Sequence, residues 1–276
     1  MNQNRPMCAL SASVAALALC SSAVVAQEKS EYHLFHPVPA ELLREMSTDR
    51  PDTTESPITV DAGHFQIETD LVVLAFDDDG ATSVSGYELL PTNLKVGLLN
   101  WMDLQVVVEP YHRAVAKAAG VRVIEDGYGA TTARLKMNVW GNDGGTTAFA
   151  LMPFVTYVDD GVDAGLIAPL GISLPLGFES ALMLEGDLIR RADNGERGLD
   201  VMATGTISHD IVGPLGGYFE LVVVVPTYDS SLTTLAVDGG LTLGLSDDIQ
   251  LDAGTRLGAA GPIADVELFL GASARL

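Results

Sequence analysis

The chain has 276 residues, with 37 acidic against 15 basic side chains, a formal net charge of −22 and a pI near 4.3. So few cations exclude a nucleic-acid binder, which needs a basic footprint. Hydrophobic residues at 47% and a mean hydropathy of +0.26 exclude a disordered acidic tail, and 28 glycines with only 19% charged residues favour many short strands and turns over a helical bundle.

Residues 1–26 read as a secretory signal. Arg5 gives a cationic start, Met7 to Val25 is apolar and small, and Ala23-Val24-Val25-Ala26 sets a cleavage site before Gln27. The rival readings are a membrane-anchoring helix and a lipoprotein lipidated at Cys20; the bulky Leu17-Ala18-Leu19 before that cysteine speaks against the second. Both cysteines, Cys8 and Cys20, lie in this segment, so the mature chain is expected to hold no disulfide and no thiolate metal site.

Residues 27–61 read as an irregular leader, punctuated by Pro37, Pro39, Pro51 and Pro57, with one short helical candidate at Ala40 to Met46. From residue 62 the period becomes two. Phe65, Ile67, Thr69, Leu71 and Val73 alternate with Gln66, Glu68 and Asp70. Leu94, Val96 and Leu98 alternate with Asn93, Lys95 and Gly97, and Leu104, Val106 and Val108 with Asp103, Gln105 and Glu109. Ala133, Leu135, Met137 and Val139 alternate with Thr132, Arg134, Lys136 and Asn138. This is the strand period with one apolar face. Further strand segments fall near 147–158, 165–176, 179–190, 199–209, 217–227, 234–245, 248–257 and 265–276.

Twelve strands over residues 62–276 leave about 18 residues for each strand and connection, too long for a compact sandwich and suited to a barrel. With the first strand running outward, the inner turns fall at Asn100-Trp101, Gly141–Gly145, Leu176-Gly177, Asp210–Gly216 and Ser246-Asp247. The outer connections fall at Asp77–Gly80, Ala114–Gly127, Asp159–Asp163, Arg191–Gly198 and Tyr228–Thr233. The outer ones are longer, as in membrane barrels, and Trp101 and Trp140 sit beside inner turns where an aromatic girdle belongs. Alternation alone fits two solvents. A soluble barrel turns its apolar rows inward, and a membrane barrel turns them outward. Small residues on the polar face, among them Gly97, Gly186, Gly240, Gly254 and Gly271, suit a narrow lumen. The fold expected is all-β: one transmembrane antiparallel up-and-down barrel of about 12 strands behind an irregular leader.

Four stretches carry a resemblance. They are Thr48-Asp49-Arg50-Pro51-Asp52-Thr53-Thr54-Glu55-Ser56-Pro57 with Val60 to Glu68; Gly127-Tyr128-Gly129 with Arg134-Leu135-Lys136; Phe219-Glu220; and Asp238 to Leu241 with Gln250-Leu251-Asp252 and Gly271 to Arg275. On these the chain resembles the Gram-negative outer-membrane β-barrel "transporter" family catalogued as putative meta-pathway of phenol degradation proteins. Ala130 departs from the family pattern, which usually has Asp there, and the terminal Leu276 departs from the aromatic residue at which outer-membrane barrels usually end. The resemblance implies an outer-membrane barrel with a transport role. Its partners would be outer-membrane lipid and lipopolysaccharide, the barrel assembly machinery and a small solute that the sequence does not name; no cofactor is implied.

The candidate solute path is charge-segregated. Lys95, Arg113, Arg134 and Lys136 lie on the second to fourth strands, and Glu185, Asp187, Asp200, Glu220, Asp238 and Asp252 on the seventh to eleventh. Facing rows of opposite sign orient polar solutes; paired, they seal the barrel. The leader motif Asp49, Arg50, Pro51, Asp52 and Glu55 is expected to enter the lumen as a plug or to trail as a tail. Asp77-Asp78-Asp79-Gly80 lacks the alternating ligands of a calcium loop, so no metal site is expected. The other functions weighed are a soluble periplasmic barrel binding a small apolar ligand and an outer-membrane lipid-modifying enzyme. The latter needs a Ser and a His converging on the outer face, and His33, His36, His64, His112 and His209 show no such pattern.

Overall fold

The computed structural model describes residues 29–276 apart from 159, 160, 192 and 193. The expected signal, both cysteines and the first two leader residues lie outside the described residues. So do parts of the connections at Asp159–Asp163 and Arg191–Gly198.

Fifteen strand segments form one antiparallel sheet, and the pairing of the last with the first closes it into a barrel of 12 strands. The segments are β1 (Phe65–Asp78), β2 (Thr82–Leu89), β3 (Thr92–Leu99), β4 (Met102–Val108), β5 (Tyr111–Ala118), β6 (Val121–Gly127), β7 (Thr131–Trp140), β8 (Thr147–Val158) and β9 (Gly161–Ser173). They continue with β10 (Phe178–Arg190), β11 (Arg197–Val212), β12 (Leu215–Pro226), β13 (Thr234–Ser246), β14 (Ile249–Ala260) and β15 (Val266–Arg275). Twelve staves arise because three are broken. β2 and β3 meet at Leu90-Pro91, β4 and β5 at Glu109-Pro110, and β6 and β7 at Tyr128-Gly129-Ala130. A proline has no N–H for the ladder, and Leu90 takes a φ of 56° just before Pro91. β1 carries a bulge at the same height, between Asp70 and Val72. Beyond these breaks β2, β5 and β6 form a flap in which β6 pairs with β5 alone.

Two expectations are corrected here. Residues 114–127 are the β5–β6 hairpin rather than an outer loop, because the period-two pattern restarts after each break with its parity shifted. The helical candidate in the leader shrinks to one 3₁₀ turn, Ala40–Leu42, since Pro39 and an extended Leu43 bound it.

Burial is inverted relative to a soluble protein. Lys136, Glu68, Glu220, Asp103 and Gln105 are buried, whereas Leu94, Val139, Leu166, Leu184, Phe219 and Leu270 are exposed on the outer face. A soluble ligand-binding barrel would show the opposite. An apolar exterior around a polar interior is the arrangement of a barrel whose outer solvent is lipid. No described helix is long and apolar enough to cross a membrane. Trp101 and Trp140 lie at the short-turn end, half-exposed, with Trp140 stacked on Phe149 at 4.9 Å.

Candidate functional site: a leader loop inside the lumen

The leader enters the barrel at the short-turn end. Lys29 and Arg44 bind Asp61 and Asp143 there, and Arg44 also donates to the Asn100 carbonyl. Residues 47–57 then pass up into the lumen, and 58–61 return along β4 and β7. The returning strip is held by Val60 N–H donating to Asp103 (2.9 Å), Thr59 N–H donating to Asn142 (3.0 Å) and Asn138 donating to the Pro57 carbonyl (2.8 Å). An irregular segment has no ladder of its own, so the barrel's inward polar rows supply its partners.

Asp49 organises the loop. Its carboxylate receives the ammonium groups of Lys136 (2.6 Å) and Lys95, and the Ser56 N–H (2.9 Å) that closes the loop on itself. Its own N–H donates to Glu68, which also holds Lys95. Burial alone would raise the Asp49 carboxyl, but the two ammonium groups override it and hold it well below the usual carboxylate range. Arg50 reaches across to Asp70 and Asp252. At the far wall the Glu220 carboxylate accepts the N–H groups of Thr53 and Thr54 at 2.8 Å each, together with the Thr54 hydroxyl. Asp52 lies beside it; burial, and then the Glu220 charge, push its carboxyl well above the usual range. Glu55 pairs with Arg134. Burial, and then neighbouring Asp49, push Glu55 up to about 7.

The two residue sets read separately from the sequence thus meet. Lys95, Lys136 and Arg134 face leader carboxylates, Glu220 and Asp252 face leader donors, and Asp238 binds Arg256 and the Tyr218 hydroxyl. Glu185, Asp187 and Asp200 lie on β10 and β11 further along the lumen. Arg113 leaves the set. Register aligns it with Tyr87 and Asp126, on the face opposite Glu88 and His112, and it pairs with Asp126. The parity shift at Glu109-Pro110 causes this, and it also places His112 in register with Glu88.

Other residues escape the sequence reading. Glu68, Asp103 and Gln105 are legible as polar-face positions, but nothing marks them as leader contacts. Arg256 links Asp238, Glu267 and the Thr53 hydroxyl. An inward apolar cluster of Met152, Ile167 and Met183, flanked by Phe154 and Met202, lies where Pro153 and Pro169 blur the alternation. Met183 sulfur accepts the Glu55 N–H. Between the loop and β8–β13 a cavity of about 1120 Å³ remains, lined by Ser180, Thr206, Tyr218 and Thr242 among others. In the Asp77–Gly80 turn, Asp78 and Asp79 accept N–H groups of Gly80, Ala81 and Thr82, so these carboxylates are engaged within their own turn.

The family model described as "Putative MetA-pathway of phenol degradation" matches residues 48–262. The chain belongs to this family. The match begins at the loop inside the lumen and takes in most of the barrel, so loop and barrel are one family unit. No curated protein sequence matches the chain significantly. Among solved structures it is similar to the COG4313 outer membrane channel from Pseudomonas putida F1, at 11% identity and a TM-score of 0.57, covering 83% of this chain and 100% of that one. It is also similar to the translocator domain of the autotransporter NalP from Neisseria meningitidis, at 12% identity and a TM-score of 0.50, covering 77% and 88%. The KdgM porin matches at 8% identity and a TM-score of 0.48, over 76% and 98%. At these identities the likeness concerns the fold, which is that of outer-membrane β-barrel proteins.

Proposed function

We propose that this family member is a passive outer-membrane channel for small organic solutes, aromatic ones included, in which the 47–57 loop narrows the lumen as a plug. The observation that carries this reading is the buried junction of Asp49 with Lys95 and Lys136, which fixes an irregular segment across a polar interior surrounded by apolar rows. The similar barrel from Pseudomonas putida F1 is an outer membrane channel, which supports it. On this reading residues 1–26 are removed on export, and assembly machinery delivers the barrel. The mature protein then sits among outer-membrane lipid and lipopolysaccharide, its short turns in the periplasm.

Replacing Lys136 by Glu sets a third negative group beside Asp49 and Asp103. The expected result in planar bilayers is a reversal potential moved toward cations; an unchanged value contradicts a solute path along Lys136 and Arg134.

Seating of the loop is also pH-dependent. Glu55 titrates near 7 when seated against 4.5 for a free side chain, and Asp52 shifts the same way, so the seated loop binds protons more tightly than a released one. Their contribution is complete below the free value and is lost as pH rises through about 7. Asp49 shifts oppositely, but its loss falls far into acid. Conductance is therefore expected to rise between about pH 4.5 and about pH 7, and Glu55→Gln to flatten the rise; a fall with pH over that window contradicts the assignment.

A further inference from the structure

The lumen is less evenly charged than its sequence rows suggest. Lys95, Lys136, Arg134, Arg50 and Arg256 each pair with a carboxylate of the leader or the wall. The carboxylates of β10 and β11 have a different setting. Register places Arg134, Phe154, Gly165, Asp187 and Asp200 in one row across β7 to β11, and Ile167, Glu185, Met202 and Val224 in the row below. A side chain at Gly165 would overlap the Phe154 ring, so that ring lies across Gly165 toward Asp187. The wall therefore alternates carboxylates with an aromatic ring, a thioether and aliphatic groups.

A second observation points to something that docks here. Asp187 Oδ1 and Asp200 Oδ1 are buried without a hydrogen-bond partner. Glu55 reaches the same region from the leader, 92% buried by its 8% exposure, and gives one oxygen to Arg134 while its Oε2 has no partner. Arg134 Nε is an unsatisfied donor on that row, against three unsatisfied acceptors. Buried acceptors without donors call for a ligand rich in N–H groups. Three wall carboxylates, Glu185, Asp187 and Asp200, face the one Arg134 guanidinium, which also pairs with Glu55, so acidic groups outnumber cations on this wall. The apolar neighbours require that the cation carry a carbon body, with Phe154 available to its charge as a π face.

We propose that this wall is a docking station for a small primary organic ammonium ion, held by Glu185, Asp187 and Asp200 with its apolar part on Phe154, Met202 and Val224. The proposal deepens the channel reading and rests on it for the solute's way in.

The test is equilibrium binding to the detergent-purified full-length mature protein, with benzylammonium, benzyl alcohol and benzoate as probes of one size and three charges. Benzylammonium is expected to bind at least about tenfold more tightly than the other two. The isosteric variant Glu185→Gln/Asp187→Asn/Asp200→Asn should erase that preference while keeping the gel shift on boiling that marks a folded barrel. Asp200→Asn alone should weaken it partway. Equal binding of benzoate, no binding of benzylammonium, or an unchanged preference in both variants overturns the proposal. Binding is read without current, so a silent bilayer with normal binding overturns the channel and spares the site, while a conducting protein without the preference does the reverse.

Discussion

Asp49→Ala is expected to release the lumen loop and raise the conductance of the barrel several-fold without unfolding it. The substitution leaves Lys136 with only the Ile58 carbonyl at 3.5 Å among its hydrogen bonds and strips Lys95 of one of its two carboxylates. Removing one partner of a buried ion pair costs about 3–5 kcal/mol, because the remaining charge is left dehydrated. The ladder hydrogen bonds of the wall do not involve Asp49, so the cost falls on seating the loop. The Ser56 N–H loses its acceptor too, which opens the loop's own closure. Single-channel recording reads the rise, and Asp49→Glu should restore part of the block. A conductance equal to wild type would show that the junction does not hold the loop.

Gly97→Val is the second large effect. Gly97 lies on the inward face of β3 beside the returning leader, its N–H donating to the His64 carbonyl and its carbonyl accepting the Gly63 N–H. A Cβ there would overlap the Asp61 carbonyl and crowd that of Val60, both backbone groups with no rotamer to yield. The leader must move off the wall, taking the Asp61 contacts of Lys29 and Arg44 with it. Trypsin should then cut after Arg44, whose side chain is held in the Asp61 and Asp143 contacts at 9% exposure in the wild type, and intact-mass spectrometry of the digest shows whether it does. Continued protection at Arg44 would contradict the close approach. Gly271 has a similar part, since a side chain there would meet the Arg50 guanidinium.

What the sequence discloses follows from which physical signals are local. Period-two alternation is local, and it places β8 at residues 147–158 and the later strands within a few residues. It fails at Leu90-Pro91, Glu109-Pro110 and Tyr128-Gly129-Ala130, where one break shifts every later side chain to the other face. This is why the pattern puts Arg113 in the lumen and residues 114–127 in a loop. The rows of lumen charge are legible for the same reason as the strands. The pairing of Asp49 with Lys95 and Lys136 is not, because it joins residues far apart in sequence through a segment without periodicity. The glycines on the polar face are visible, but only the structure shows that Gly97 and Gly271 make room for the leader rather than for solute.

The central proposal is that the 47–57 loop controls an otherwise passable lumen. Its most direct test is single-channel recording of the mature protein beside a variant in which residues 47–57 are replaced by a short Gly-Ser linker, with barrel integrity checked by the gel shift on boiling. The expected result is a small conductance for the first and a several-fold larger, less pH-sensitive one for the second. Equal conductances in two folded barrels would contradict control by the loop.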